Sequence, residues 1–322
     1  VTKRDDGGNS NGEDLKTLVD LYLLRCQVEG KSPNTLKAYA WTLRRFLDVA
    51  RQEGFAGPVC QITPVHLYSY LGRFSHLSAE SRHRYHREVS FFFSWLESMG
   101  YVERSAFAQI KKVKLPQRIV QPFSQEDVRK LLGLCDASPV GRRDRAMLLA
   151  MLDTGVRVSE LVQLDLPDLD LDTGRIRVLH GKGNKQRVVA FGEGCKAGLQ
   201  SYLEARGYEP GPLFVAVTGH RRLKPGTGLQ PNGVKQMLRR LGRSAGLPKV
   251  HAHRFRHTFA TWAIEQHARE LDVQYLLGHS TPDMVRRYSA TYNSEQAARA
   301  HAAFSPADWL GAPASSLSRA SW

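Results

Sequence analysis

The sequence predicts a mainly α fold with a small β-hairpin or sheet, split into an amino-terminal four-helix domain and a mixed α/β carboxy-terminal domain. Three observations predict it. Apolar residues recur at helical spacing through most of the chain, two short alternating runs flank a glycine-bearing turn, and a basic, proline-containing segment without periodicity separates the halves.

Residues 1–13 are rich in Gly, Asn and Asp and are expected to be disordered. From Asp14 to Glu29, Leu15, Leu18, Val19, Tyr22 and Leu23 fall at i, i+3, i+4, i+7 and i+8, an amphipathic helix. Ser32-Pro33 reads as an N-cap with proline at N1, opening a second helix through Thr35–Glu53. Thr63-Pro64 opens a third in the same way, and Ser78 caps a fourth that ends at Gly100. The fourth carries Arg82, His83, Arg84, His86 and Arg87 early, then Phe91, Phe92, Phe93 and Trp95, whose aromatic end is expected in the core. Four helices with short connections make a helical domain over 14–110.

Residues 111–123 read as a basic linker with Pro116 and Pro122. Ser124 then starts a helix with acids in its first turn, where the helix dipole favours them. Another helix follows around Asp144–Thr154 and ends at Gly155. The runs 175–180 and 187–191 form a hairpin around GKGNKQ (181–186). Beyond it the pattern is helical to about Phe304, so the second domain spans 124–304. Ser294 is placed to cap a short helix, Glu295–Phe304. The tail, 305–322, is small and polar, with Trp309, Leu310 and Trp322 as apolar anchors for docking on a neighbouring protomer.

Composition narrows the function. A hydrophobic fraction of 42% in 322 residues excludes global disorder. No apolar run reaches the roughly 18 residues that a membrane span needs, and the first residues lack the pattern of a secretory signal. The four cysteines, Cys26, Cys60, Cys135 and Cys195, form no CxxC pair, so the chain reads as a reduced, cytoplasmic protein. The net charge is +15, and its distribution is uneven. Residues 1–110 carry 14 basic and 12 acidic side chains, whereas Pro210–Ile264 holds ten Lys and Arg and no acid. Such a localised cationic stretch points to a polyanion, nucleic acid above all.

Four segments of the second domain bear chemistry: TGVRVSEL (154–161), HGKGNKQR (180–187), HRFRHTFAT (253–261) and LLGHS with RRYS (276–289). Taken singly, each residue has a bland reading. Arg157 can be a surface charge paired with Glu160, Lys182 a turn lysine, and Tyr288 a packed aromatic. Together they supply the parts for phosphodiester transfer without a metal. A tyrosine hydroxyl forms a covalent phosphate ester. Guanidinium forks neutralise charge developing on the phosphoryl oxygens. Histidine and lysine accept and donate the protons. Arg157, Lys182, His253, Arg256, His279 and Tyr288 fill these roles.

Other chemistries fit less well. His253 and His257 have i, i+4 spacing, but HRFRH puts arginines where a metalloprotease has its glutamate. A carboxylate-metal nuclease needs clustered acids that the basic stretch lacks, and GKGNK lacks the spacing of a phosphate loop. No cofactor, metal or ATP is expected.

These motifs resemble those of the tyrosine recombinases of the phage-integrase and Xer type, over nearly the whole chain. The T-G-x-R-x-S-E-L context matches at Arg157, the hairpin G-K-G-x-K at Lys182, and H-x-x-R-H at His253, Arg256 and His257. L-L-G-H-S places the second histidine at His279, and a tyrosine nine residues later selects Tyr288 over Tyr275 and Tyr292. SPNTLKAYAWTLRRFL is similar to the family's SAM-like core-binding helices. The resemblance implies a site-specific DNA recombinase with Tyr288 as nucleophile. Arg157, Arg256 and His279 would stabilise the transition state, with Lys182 as general acid and His253 as general base or phosphate ligand. Glu160 would orient Arg157.

It further implies a homotetramer, or a heterotetramer with a second recombinase, on two duplexes with paired inverted half-sites, each protomer closing on DNA as a two-domain clamp. Candidate DNA contacts are Lys37, Arg44, Arg45, Arg82, Arg84 and Arg87 in the first domain. Lys111 and Lys112 in the linker, with Lys235, Arg239, Arg240 and Arg243 in the second domain, complete the set. A type IB topoisomerase-like relaxase and a non-catalytic architectural protein are the rival readings.

Overall fold

The computed structural model describes residues 13–112, 114–115, 120–179, 186–219 and 222–278. The chain divides into two compact units, Val1–Arg118 and Ile119–Trp322.

The first unit is built from α1 (Leu15–Val28), α2 (Pro33–Gln52), α3 (Pro64–Gly72) and α4 (Ala79–Ser98). Each begins where a side chain or a proline meets the needs of the first turn. Asp14 and Ser32 accept from the backbone N–H of Lys16 and Thr35, Thr63 is followed by Pro64, and Ser78 accepts from Ser81. The core gathers Leu15, Leu18, Phe46, Tyr70, Phe92 and Phe93, all almost fully buried. Phe46 stands edge-on to Tyr70 and Phe93, at 5.0 and 5.8 Å between ring centres. Two expectations for α4 need correcting. His86 is buried against Phe107, at 5.2 Å, so it does not belong to the exposed basic face. Phe91 is 44% exposed while its neighbours Phe92 and Phe93 fill the core.

In the second unit, α5 (Gln125–Gly133) opens with a reciprocal cap between Ser124 and Asp127. Helix α6 (Pro139–Thr154) starts five residues before the expected Asp144, because Ser138-Pro139 repeats the cap-plus-proline signal of α2. A one-turn helix, α7 (Val158–Leu161), leads to a three-stranded antiparallel sheet of β1 (Leu169–Asp170), β2 (Arg175–Val178) and β3 (Arg187–Ala190). In the hairpin β2–β3, Arg175 lies opposite Ala190 and Val178 opposite Arg187. Its turn, including Lys182, lies outside the described residues.

Helix α8 (Glu193–Arg206) follows and packs along α6. The expectation of unbroken helix beyond the hairpin then fails. β4 (Val215–Val217) and β5 (Leu223–Gly228) form a second antiparallel sheet. Its strands carry little periodic signal: β4 has three residues, and β5 contains Pro225 and two glycines, which suit only an edge strand. Helices α9 (Pro231–Ser244), α10 (Ala252–Glu265) and α11 (Glu270–Leu277) complete the described chain. Among the described residues no helix is long and apolar enough to cross a membrane. The expected disordered segment 1–13 (all but its last residue), the Glu295–Phe304 helix and the tail 305–322 lie outside the described residues.

Candidate active site

The site forms where the ends of α6, α10 and α11 meet. Gly155 caps α6 in the left-handed region, at φ 60°, and a Cβ there would fall 2.6 Å from Phe259 and 2.7 Å from Leu277. Glycine is thus needed twice, for the turn and for the approach of α10 and α11. The chain leaves this turn through Val156 to Arg157, which stands at the N-terminus of α7.

Glu160 is the electrostatic centre. Its side chain is 1% exposed, and its carboxylate accepts from the Arg157 backbone N–H at 2.8 Å and from Arg157 Nη1 at 2.8 Å. Arg187, the first residue of β3, donates to both carboxylate oxygens, at 3.1 and 2.7 Å. Burial alone would raise the Glu160 pKa. The hydrogen bonds from Arg187 and then Arg157 outweigh it and hold the carboxyl at about 2.

Arginines also hold the end of α11. Arg187 Nε donates to the Leu276 carbonyl at 2.8 Å, Arg256 Nη2 to Leu277 at 2.6 Å, and Arg157 Nη2 to Gly278 at 3.5 Å. Arg256 Nη1 reaches back to the Gly155 carbonyl at 2.7 Å. The last carbonyls of a helix lack intrahelical partners and carry the negative end of its dipole, so guanidinium groups are stabilised there. Three successive carbonyls thereby fix three arginines.

His253 sits one turn before Arg256 on α10 and is exposed. Desolvation of its ring, followed by the charge of Arg256, lowers its pKa below the usual 6.5. The imidazole is therefore neutral at neutral pH and able to accept a proton. Arg157, His253 and Arg256 thus gather at one end of the second unit. Lys182, His279 and Tyr288 lie outside the described residues; the described chain ends at Gly278, next to His279. Among the described residues no group of three or more His, Cys, Asp or Glu is arranged to hold a metal ion.

Sequence reasoning missed Arg187. The signal was present in the strand alternation: Arg187 shares the inward face of β3 with fully buried Val189, while Val188 points out. An arginine on a buried strand face calls for a buried acid.

The basic surface also needs sorting. On α9 and the loop after it, Lys235, Arg239, Arg243 and Lys249 line an open groove with His251. Arg240 instead pairs with Asp144, a carboxylate only 2% exposed that also holds Arg143. Arg254 turns inward, donating to the carbonyls of Gln121, Pro122 and Pro248 and lying 4.0 Å over the Phe123 ring. In the first unit, Lys37, Arg44 and Arg45 flank Trp41, which is 46% exposed. Arg45 and Arg84 stack over its ring at 5.2 and 5.3 Å. Arg84 and Arg87 are exposed, as are Lys111 and Lys112, whereas Arg82 is half-buried.

Comparison with known proteins identifies the family. Residues 121–295 match the model of the phage integrase family. The tyrosine recombinase XerC of Escherichia coli (strain K12 / DH10B) is 32% identical over 282 residues, covering 86% of this chain and 92% of that protein. XerH recombinase, in a post-cleavage complex on a palindromic difH substrate, superposes with a TM-score of 0.66 at 22% identity, covering 85% of this chain and 80% of that one. A lambda integrase tetramer bound to a Holliday junction gives 0.68 at 21% identity, over 86% and 78%. The chain belongs to the phage integrase family and is a site-specific tyrosine recombinase.

Proposed function

We propose that this recombinase exchanges strands between two DNA duplexes at paired inverted half-sites, as a tetramer, through a 3′-phosphotyrosine intermediate and a four-way junction. The observation that carries the reading is the convergence of Arg157 and Arg256 on the end of α11 with His253 beside them. Structural neighbours solved on cleaved DNA and on a Holliday junction support it.

The residues divide the chemistry as follows. The Tyr288 phenolic oxygen bonds to phosphorus while His253 accepts the phenolic proton. The bond from phosphorus to the 5′-oxygen breaks, and its electron pair stays on that oxygen, which takes a proton from Lys182. Arg157, Arg256 and His279 neutralise charge on the non-bridging oxygens, where fixed donors are most effective. The phosphotyrosine conserves the bond energy of the phosphodiester, so a 5′-hydroxyl from the other duplex reverses the step without ATP. Exposed arginines around Trp41 and the groove lined by Lys235, Arg239 and Arg243 supply phosphate contacts. Under this reading the reaction takes place in the cytoplasm.

The full-length protein, used to select its binding site from random duplexes, provides the substrate for the test. On a supercoiled plasmid with two copies of that site, deletion or inversion products are expected. Relaxation without exchange would favour the topoisomerase-like reading. Tyr288→Phe should bind the duplex and form no covalent adduct; an adduct that persists would overturn the assignment of the nucleophile.

A further inference from the structure

We infer that Arg187 is a positioning residue of the cleavage reaction, holding Glu160 and the end of α11 so that Arg157 meets the scissile phosphate in one orientation. This rests on the recombinase reading and adds to it a residue on the strand that leaves the hairpin. Every polar atom of the Arg187 guanidinium is committed. Nη1 and Nη2 hold Glu160, and Nε holds the Leu276 carbonyl. Its side chain is 11% exposed, and each of its three nitrogens has a hydrogen-bond partner within the protein. The Glu160 carboxylate it grips is the same one that receives Arg157 Nη1 and the Arg157 backbone N–H.

The approach is tight at the other end as well. A Cβ on Gly278 would lie 3.2 Å from Arg187 Cδ and Nη1, and Gly278 sits at φ 63°. A side chain there would therefore disturb Arg187 as well as the turn into His279. Without Arg187, Glu160 is free to rotate about Arg157, and the Leu276 carbonyl loses its donor. Arg157 would then sample orientations of which only some suit the phosphate, and a displacement of about 1 Å costs on the order of 100-fold in rate.

The test uses the full chain and a nicked suicide duplex carrying the selected site. Adduct formation is followed in single turnover with Arg187→Gln and Arg187→Lys. Both variants should bind the duplex with wild-type affinity and form adduct on the order of 100-fold more slowly. Lysine keeps the charge balance around Glu160, so a folded variant is in hand, but one ammonium cannot span both Glu160 oxygens and Leu276. In a Glu160→Gln background, Arg187→Gln should lose most of its effect, because the two act through one carboxylate.

A substrate with a 5′-bridging sulfur separates the two halves of the chemistry, since a thiolate leaves without a proton. It should rescue Lys182→Ala and leave Arg187→Gln slow. Rescue of Arg187→Gln would overturn the inference, placing its effect on the leaving group. So would a wild-type rate in Arg187→Gln or Arg187→Lys, or full additivity with Glu160→Gln. If the wild-type chain itself forms no adduct, it is the recombinase reading that fails.

Discussion

Arg256 and Leu277 are joined by a 2.6 Å hydrogen bond from guanidinium to carbonyl, which ties the middle of α10 to the last residue of α11, two positions before His279. Arg256 is 3% exposed, and its other Nη reaches Gly155, so one side chain sets the spacing of α10 from the ends of α6 and α11.

Arg256→Lys should therefore fail twice. A lysine donates from one point and cannot serve carbonyls on α6 and α11 together while facing a phosphate. Adduct formation is expected to drop by on the order of 10²–10³-fold. Thermal unfolding should reveal a loss of about 1–3 kcal/mol from the carbonyl left unpaired. Unchanged stability would mean that the Gly155 and Leu277 contacts carry no weight.

Glu160→Gln removes the one acid between two arginines. The carboxylate is buried, and breaking such a pair from one side costs about 3–5 kcal/mol. The pH dependence follows from the same geometry. With its pKa held at about 2 instead of the usual 4.5, Glu160 stabilises the fold fully above pH 4.5. That contribution is lost as pH falls from 4.5 toward 2. Denaturant unfolding across this window should be steeper with pH for the wild type than for Glu160→Gln.

How much of this site the sequence disclosed depends on whether the signal was local. Ser32-Pro33 and Thr63-Pro64 announce helix starts because capping is settled within four residues. The same pair at Ser138-Pro139 was there to be read. Arg157 and Arg256 stood out through short motifs, and Glu160 through its three-residue spacing from Arg157. Arg187 did not, since its carboxylate lies 27 residues away and its carbonyl 89. The pairing of Arg240 and the inward turn of Arg254 were hidden for the same reason: their partners are Asp144 on α6 and the carbonyls of Gln121 and Pro122. Charge counts along the chain register cations and not the direction in which they point.

Gly155→Ala tests whether the turn itself is essential. A left-handed conformation costs a non-glycine residue about 1–2 kcal/mol. The added methyl would also meet Phe259 and Leu277 at 2.6–2.7 Å, and overpacking adds about 1–3 kcal/mol. A lower melting temperature with slowed cleavage is expected. Wild-type cleavage in a folded Gly155→Ala variant would show that α10 and α11 tolerate displacement.

Trp41 is exposed, and its ring pre-arranges Arg45 and Arg84 on α2 and α4. Trp41→Ala should leave the first unit folded and weaken binding to the selected duplex, since the arginines lose contacts worth about 0.5–1 kcal/mol each. Its salt dependence should change little, because no charge is removed. Arg45→Ala should instead flatten the slope of log K against log salt by about 1. Binding titrations from low to moderate salt separate the two effects.

His253 supplies the last test, through its protonation state. Desolvation and the positive charge of Arg256 both disfavour the imidazolium, with smaller contributions from His251, His257 and Arg157. Between the lowered folded value and 6.5 the unfolded chain binds the proton more readily, so stability falls progressively as pH falls through that window. For catalysis, a base must be neutral in the resting enzyme. Adduct formation should therefore fall to half its maximal rate only below pH 6.5 as pH is lowered from 8. Proton NMR of the His253 ring would give the titration directly. In Arg256→Gln, removal of the neighbouring charge should move that titration upward. A His253 titration at or above 6.5 in the wild-type protein would remove the basis for its role as the base and leave it a phosphate ligand.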